Sequence, residues 1–359
     1  VVNRAESPIG LRVTLSRRYV RSTDVARDLT DPRALDGYVV TASARSALER
    51  LVDGLDAGST QRAFRITGPY GSGKSSFALL LCRLLTAVDE RANEIAKASG
   101  LAKGTAFAPH AVIFMSGRRT SFSGDLLAAV REQARMLGMD DIAAGAAKAG
   151  TDEDPGLRAR SAIDLLDRLS RDTISADGRR TLLLVDEMGR YVEHAAANPR
   201  SEDPSVFQQL AERAGGRGGA PLAVIGVLHH RLAEYVAAMG GVIEAEWTRS
   251  ADRYEEIAFG DSLEQTLHLV AGALEADPSH TRPVRDAARR LFEEAFQHGT
   301  LGGDPADVAA IAADLYPLHP AALATLTVAA RRLGQNERSI FGFLQTLEPS
   351  GFQRFVQKM

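Results

Sequence analysis

The chain has 359 residues, 45% of them apolar and 25% charged, a composition ordinary for a soluble globular protein of one or two domains. A net charge of −3 and a pI near 6.3 argue against a wholesale polyanion binder. The single cysteine, Cys82, excludes an internal disulfide framework and suits a reducing cytoplasm; no apolar run reaches the length of a membrane span, and the polar, Arg-containing start does not read as a signal peptide.

In chain order, residues 1–60 read as a polar, Arg-rich lead-in with one helix at 43–55, expected to pack on the core that follows. Residues 63–67 read as a buried strand, and residues 76–82 as the start of a helix. Between them stands Gly68-Pro69-Tyr70-Gly71-Ser72-Gly73-Lys74-Ser75, followed by Ser76, a complete phosphate-binding loop in the strand–loop–helix setting that such a loop needs. Backbone N–H groups of a Gly-rich turn, added to a helix N-terminus, cradle phosphate oxygens. Gly68 and Gly73 allow backbone conformations and close approach that a side chain would block. Lys74 is expected to reach the β- and γ-phosphates of ATP, and Ser75 to place its hydroxyl on Mg2+. Of the 43 basic residues only five are lysine, so a chance match is improbable.

Further β-rich runs follow at 111–116, 181–186, 222–228 and 255–259, the middle three nearly all apolar, as strands covered on both faces should be. Helix candidates at 124–137, 156–171 and 205–214 alternate with them, which reads as an α/β fold: a five-stranded parallel sheet with helices on both faces. Residues 150–155 and 215–219 read as surface loops. After Phe259 the β signal stops, and helices at 262–275, 283–297, 305–315, 320–333 and 339–347 follow. The division expected is a lead-in 1–60, a nucleotide-binding α/β domain 61–260 and a helical lid 261–359.

The run 181–186 ends in two carboxylates, Asp186 and Glu187, the second half of a nucleotide-hydrolysing site. Asp186 would hold magnesium through water, and Glu187 would orient or deprotonate the attacking water. Adjacent residues on a strand point to opposite faces, so the pair requires the strand's end, where the backbone turns. The run 222–228 ends in His229-His230; a polar group there can hydrogen-bond the γ-phosphate or the water, with His229 nearer the strand. Metal binding by the adjacent histidines is the alternative, but the i, i+4 spacing and a carboxylate partner are missing. Before the last strand comes Glu246-Trp247-Thr248-Arg249-Ser250-Ala251-Asp252-Arg253-Tyr254. An arginine here lies at the edge of the sheet, facing away from its own nucleotide, and is either a finger completing a neighbour's site or a surface residue paired with Asp252 or Glu255. Trp247 reads as a packing anchor.

The strands, phosphate loop, Asp-Glu strand, polar strand tip and following helices stand in the order of the AAA+ ATPases, which the chain resembles over roughly residues 15–350. The stretch from Arg253 through Ile257-Ala258-Phe259 to Leu263-Glu264-Gln265 is similar to the origin-recognition branch. That resemblance implies that Arg253 is a trans-acting finger, and that Arg338, in Gly334-Gln335-Asn336-Glu337-Arg338, contacts the γ-phosphate of its own nucleotide. Tyr19-Val20-Arg21-Ser22, the phosphate loop, Val185-Asp186-Glu187-Met188-Gly189 and Tyr316-Pro317-Leu318-His319-Pro320 look like the ATP-binding subunits of bacterial phage-defence clusters, the BREX type among them. Those proteins are usually far longer, so the chain resembles their N-terminal ATPase portion. His229 stands where the family most often has asparagine or threonine.

The resemblance implies a cytoplasmic homo-oligomer with Mg2+ and ATP between subunits, remodelling or licensing partner proteins of the same system. A nucleotide switch sensing a ligand is the second class. A DNA-engaging motor is the third, with Arg17-Arg18, Arg118-Arg119 and Arg179-Arg180 as phosphate contacts.

Overall fold

The computed structural model describes residues 13–15, 23–55, 58–69, 71–86, 90–98, 109–215, 222–229, 252–260, 262–276, 278–301, 304–333, 340–346, 348 and 351–356. Strand β1 (Val13–Leu15) is followed by β2 (Ala63–Thr67), β3 (His110–Ser116), β4 (Arg180–Asp186), β5 (Leu222–Leu228), β6 (Glu255–Ala258) and β7 (Leu274–Ala276). Strands β2 to β6 form one parallel sheet in the order β3-β4-β5-β2-β6. The α/β class and the five-stranded parallel sheet expected from the sequence are therefore present. Strands β2 and β5 keep the expected bounds, while β3 and β4 each begin one residue earlier.

Helices cover both faces, which explains why β4 and β5 are apolar almost throughout. Successive side chains of β4 serve opposite layers. Leu183 and Val185 join Phe122, Leu126, Ile163, Tyr191 and Phe207 on one face, whereas Leu182 and Leu184 join Phe64, Ile66, Phe77, Leu80 and Leu48 on the other. The first layer is built by helices Phe122–Met136, Asp140–Ala149, Pro155–Asp177, Met188–Ala197 and Val206–Gly215, the second by Ala42–Leu55, Lys74–Thr86 and Glu90–Ala98. The ends of these helices follow local chemistry. Asp154 caps Pro155–Asp177 by accepting from the N–H groups of Gly156 and Leu157, and Gly178, at φ 76°, stops it in the left-handed region.

The lead-in is tied to the phosphate-loop helix. Arg83, buried on Lys74–Thr86, donates to the carbonyls of Asp28 (2.9 Å), Leu29 (3.3 Å) and Asp31, while Thr23 and Ser76 share a hydroxyl hydrogen bond of 2.7 Å.

The C-terminal region is helical and has its own apolar cluster, with Leu267, Val270, Phe292, Leu315, Leu323 and Leu344 at its centre. A capping box between Ser262 and Gln265 starts helix Leu263–Ala273. That helix stops two residues short of the expected 275, because residues 274–276 pair antiparallel with 13–15 (Val13↔Ala276, Leu15↔Leu274). This small ladder is the one β element after Phe259 among the described residues. The next helix spans Pro278–Gln297, so Pro283 lies inside it rather than at its start, where lacking an N–H it forgoes one i→i−4 hydrogen bond.

Candidate functional site

In a parallel sheet every strand ends at the same edge, so the segments following β2, β3, β4 and β5 gather there. Strand β5 lies between β2 and β4, with Thr67 opposite Leu228 and Val185 opposite Gly226. His229 therefore sits between the phosphate loop on one side and Asp186 and Glu187 on the other.

The loop 68–75 is shaped by glycine at three points. Gly71 and Gly73 take φ values of 73° and 85°, conformations that side chains rarely adopt. At Gly68 the constraint is proximity: a Cβ would lie 1.8 Å from the carbonyl oxygen of Phe259, whose N–H donates to Thr67 O at 2.6 Å. Lys74 is buried, and its Nζ donates to the carbonyls of Gly68 (2.6 Å) and Pro69 (2.7 Å), with Ser72 Oγ at 3.4 Å. Burial pushes the ammonium's pKa down to about 8, against the pull of Asp186 and Glu187. The Ser75 hydroxyl hydrogen-bonds the carboxylate of Asp186. Ser76 is engaged by Thr23. Tyr70 lies outside the described residues.

Asp186 is buried, and burial raises its pKa against the hydrogen bonds from Ser75 and from the Glu187 N–H (2.9 Å to Oδ1). At Glu187 the backbone turns through φ 52°, ψ 37°, the only positive φ among the described non-glycine residues. This left-handed residue ends the strand and starts helix Met188–Ala197; such conformations cost of order 1 kcal/mol and are held by their surroundings. The surroundings are Gly117, whose N–H donates to Asp186 O at 2.7 Å and where a Cβ would lie 2.0 Å from Glu187 O. Tyr191, one turn on, donates its hydroxyl to Asp125 at 2.8 Å, with Ser116 O at 3.2 Å, pinning the helix to the β3 tip; burial, then Asp125, raises its pKa.

The Glu187 carboxylate faces Arg190 and His229. Arg190 spans it, Nε to Oε2 at 3.0 Å and Nη2 to Oε1 at 3.2 Å, and His229 Nε2 lies 3.6 Å from Oε1. The nearby His229 ring leads in holding the carboxyl below its ordinary range, and Arg190 reinforces it. The structure thus brings Gly68, Lys74, Ser75, Asp186, Glu187 and His229 to one place.

Arg253 is elsewhere. It precedes β6, and Gln61, just before β2, donates to its carbonyl at 3.4 Å, so it marks the opposite edge of the sheet. It pairs with Glu212 at 2.8 Å, not with Asp252 or Glu255, because helix Val206–Gly215 runs alongside. Arg338, His230 and Trp247 lie outside the described residues. The arginine pairs do not make one stripe. Arg118-Arg119 follows β3, with Arg119 3.5 Å from Glu193, whereas Arg179-Arg180 opens β4 at the other edge, with Arg179 on Asp177 and Arg180 on Leu55 O.

Sequence reasoning missed Gly117, Arg190, Tyr191 and Thr23. A glycine directly after a strand, in the same position relative to β3 as Gly68 is to β2, was the available signal for Gly117; the i, i+3 spacing from Glu187 was the signal for Arg190.

Among the described residues no cluster of three or more His, Cys, Asp or Glu side chains could hold a metal, and no helix is long and apolar enough to cross a membrane. No protein-family model and no curated protein matches the sequence. Among solved structures, the Aeropyrum pernix ORC2 protein in its ADPNP–ADP complexes is similar at 12% identity and TM-score 0.39, over 84% of this chain and 73% of that one. Its ADP form is similar at 15% identity and TM-score 0.37, over 78% and 72%.

Proposed function

We propose that the chain is an AAA+ ATPase that binds Mg2+-ATP at residues 68–76 and hydrolyses it. The observation that carries this reading is the juxtaposition at one sheet edge of a glycine-shaped loop with a buried lysine, and of paired carboxylates two strands away, with His229 at the tip of the strand between. The residues present fit both groups. Lys74 spends its charge on the loop's own carbonyls, the arrangement of a cation with no stronger acceptor, and a phosphate would replace them. Ser75 and Asp186, already joined, supply the few oxygen ligands that Mg2+ takes from protein when phosphates and water supply the rest. Bound together, Mg2+ and ATP supply the transferable phosphoryl group and neutralise its charge.

The chain's own residues would then divide the work. Lys74 and the loop N–H groups hold the phosphates, Glu187 orients and deprotonates water, and His229 donates to the γ-phosphate or to that water. Arg253, exposed at the far edge, is suited to a neighbour's nucleotide rather than its own, and Arg338 would read the γ-phosphate from the lid. Nucleotide between subunits would couple assembly to remodelling or licensing of partner proteins, and the phrases shared with phage-defence ATPases support an antiviral setting in the bacterial cytoplasm. The engagement of Glu187 by Arg190 and His229 favours a second reading, a nucleotide switch with slow turnover and retained ADP.

The deciding variant is Glu187→Gln. It is expected to bind ATP as the parent does while hydrolysis falls about 10²–10⁴-fold, the range for loss of a general base. Parental turnover in that variant would remove Glu187 from the mechanism.

A further inference from the structure

Among the described residues gathered around the phosphate loop, Glu187 has its charged group occupied by a neighbour that the proposed reaction does not require. Arg190 lies in the first turn of helix Met188–Ala197, three residues on, and lays its guanidinium along the carboxylate with one nitrogen on each oxygen, 3.0 Å and 3.2 Å. This fork matches the planar geometry of a carboxylate and takes both oxygens at once. His229 closes the remaining approach to Oε1 at 3.6 Å. A carboxylate that must accept a proton from water needs a free lone pair directed at that water, and hydrogen bonds to its ionised form weaken it as a base.

We propose that Arg190 is a latch on the general base: its guanidinium parks the Glu187 carboxylate and keeps the isolated chain at low turnover. This rests on the reading of Glu187 as the base. Three features fit a latch better than a structural tie. The Arg190 side chain is 53% exposed, so the pair contributes little to stability and separates readily. The backbone of Glu187 is already fixed by the Asp186–Gly117 contact and by Tyr191, so Arg190 is not needed to hold the turn. The same exposure lets an anionic group arriving on that face, a carboxylate of a second protomer or of a partner, compete for the guanidinium and free the base.

The test compares steady-state hydrolysis by the whole chain and its Arg190→Ala, Arg190→Lys, Glu187→Gln and doubly substituted Arg190→Ala/Glu187→Gln forms, with thermal unfolding as the check on folding. A latch predicts that Arg190→Ala raises kcat at least threefold with KM for ATP unchanged. Arg190→Lys should fall between, since an ammonium keeps the charge but not the fork. The double variant should drop to the level of Glu187→Gln, because the added turnover runs through the released carboxylate. An Arg190→Ala protein that folds yet hydrolyses at or below the parental rate overturns the latch, and so does a double variant that keeps the increase. Parental turnover in Glu187→Gln alone would instead overturn the reading of Glu187 as the base, so the two failures are told apart.

Discussion

At the scale of single residues, Lys74 sets a pH signature. Its folded pKa, about 8, lies below the ordinary 10.5, so below pH 8 the lysine is charged in both folded and unfolded chains and the full cost of burying it is present. As pH rises from about 8 to 10.5 the folded chain gives up the proton first, and the Lys74 contribution to stability grows by up to about 3 kcal/mol. Phosphate oxygens reverse the preference, so ATP binding near pH 8 should take up a fraction of a proton, measured by calorimetry in buffers of different ionisation enthalpy; net proton release would contradict the placement. Gly117 is the second case. An alanine Cβ 2.0 Å from the Glu187 carbonyl has only backbone to push against, so Gly117→Ala should displace the carboxylate pair and cut hydrolysis at least tenfold while thermal unfolding shows a folded protein. The loop 68–75 was legible because each of its residue types answers a demand of phosphate binding, whereas Gly117 was not, since what it approaches lies 70 positions on in another strand. Arg190 was hidden for the opposite reason: a charged residue on a short helix is ordinary, and only the left-handed turn at Glu187 brings it round to the carboxylate.

At the scale of elements, the buried guanidinium of Arg83 is what joins the lead-in to the phosphate-loop helix. Arg83→Ala would strip a donor from all three of its carbonyl partners, although Asp28 O and Asp31 O keep the N–H groups of Asp31 and Ala34, and should cost about 1–3 kcal/mol in denaturant unfolding and open residues 23–41 to limited proteolysis. Unchanged stability would mean that water replaces the arginine. The five strands of the large sheet were readable because burial on both faces demands unbroken apolar runs, as in Leu182-Leu183-Leu184-Val185. Helix Asp140–Ala149 was not, because it buries only Ile142, Ala143 and Ala146, too thin a stripe among alanines to stand out from a loop. The ladder of residues 13–15 with 274–276 was beyond sequence reading for another reason: three residues carry no period, and the partner lies across the whole chain.

At the scale of the molecule, the two groups assigned to hydrolysis occupy opposite edges of the sheet, Glu187 with the loop and Arg253 with Glu212. No single copy brings them together. If copies share a site, Arg253→Ala and Glu187→Gln proteins, each inactive, should recover part of the parental hydrolysis when mixed, because some interfaces then contain both intact groups. Mixtures that stay inactive at concentrations where mass measurements with a non-hydrolysable ATP analogue show assembly would remove Arg253 from the reaction.

The contact between Gly68 and Phe259 has a mechanical meaning. With backbone against backbone and no room for even a methyl group, the first residue of the loop cannot shift toward β6 without moving it. Strand β6 is hydrogen-bonded along its length to β2 and is only four residues long, so it is a stiff rod of about 13 Å. One end rests against the phosphate loop and the other carries the turn of Arg253. If the loop holds phosphates and copies share a site, a loop that tightened or relaxed would push on a rod whose far tip bears that arginine, and the grip of one subunit would be felt at the surface offered to the next.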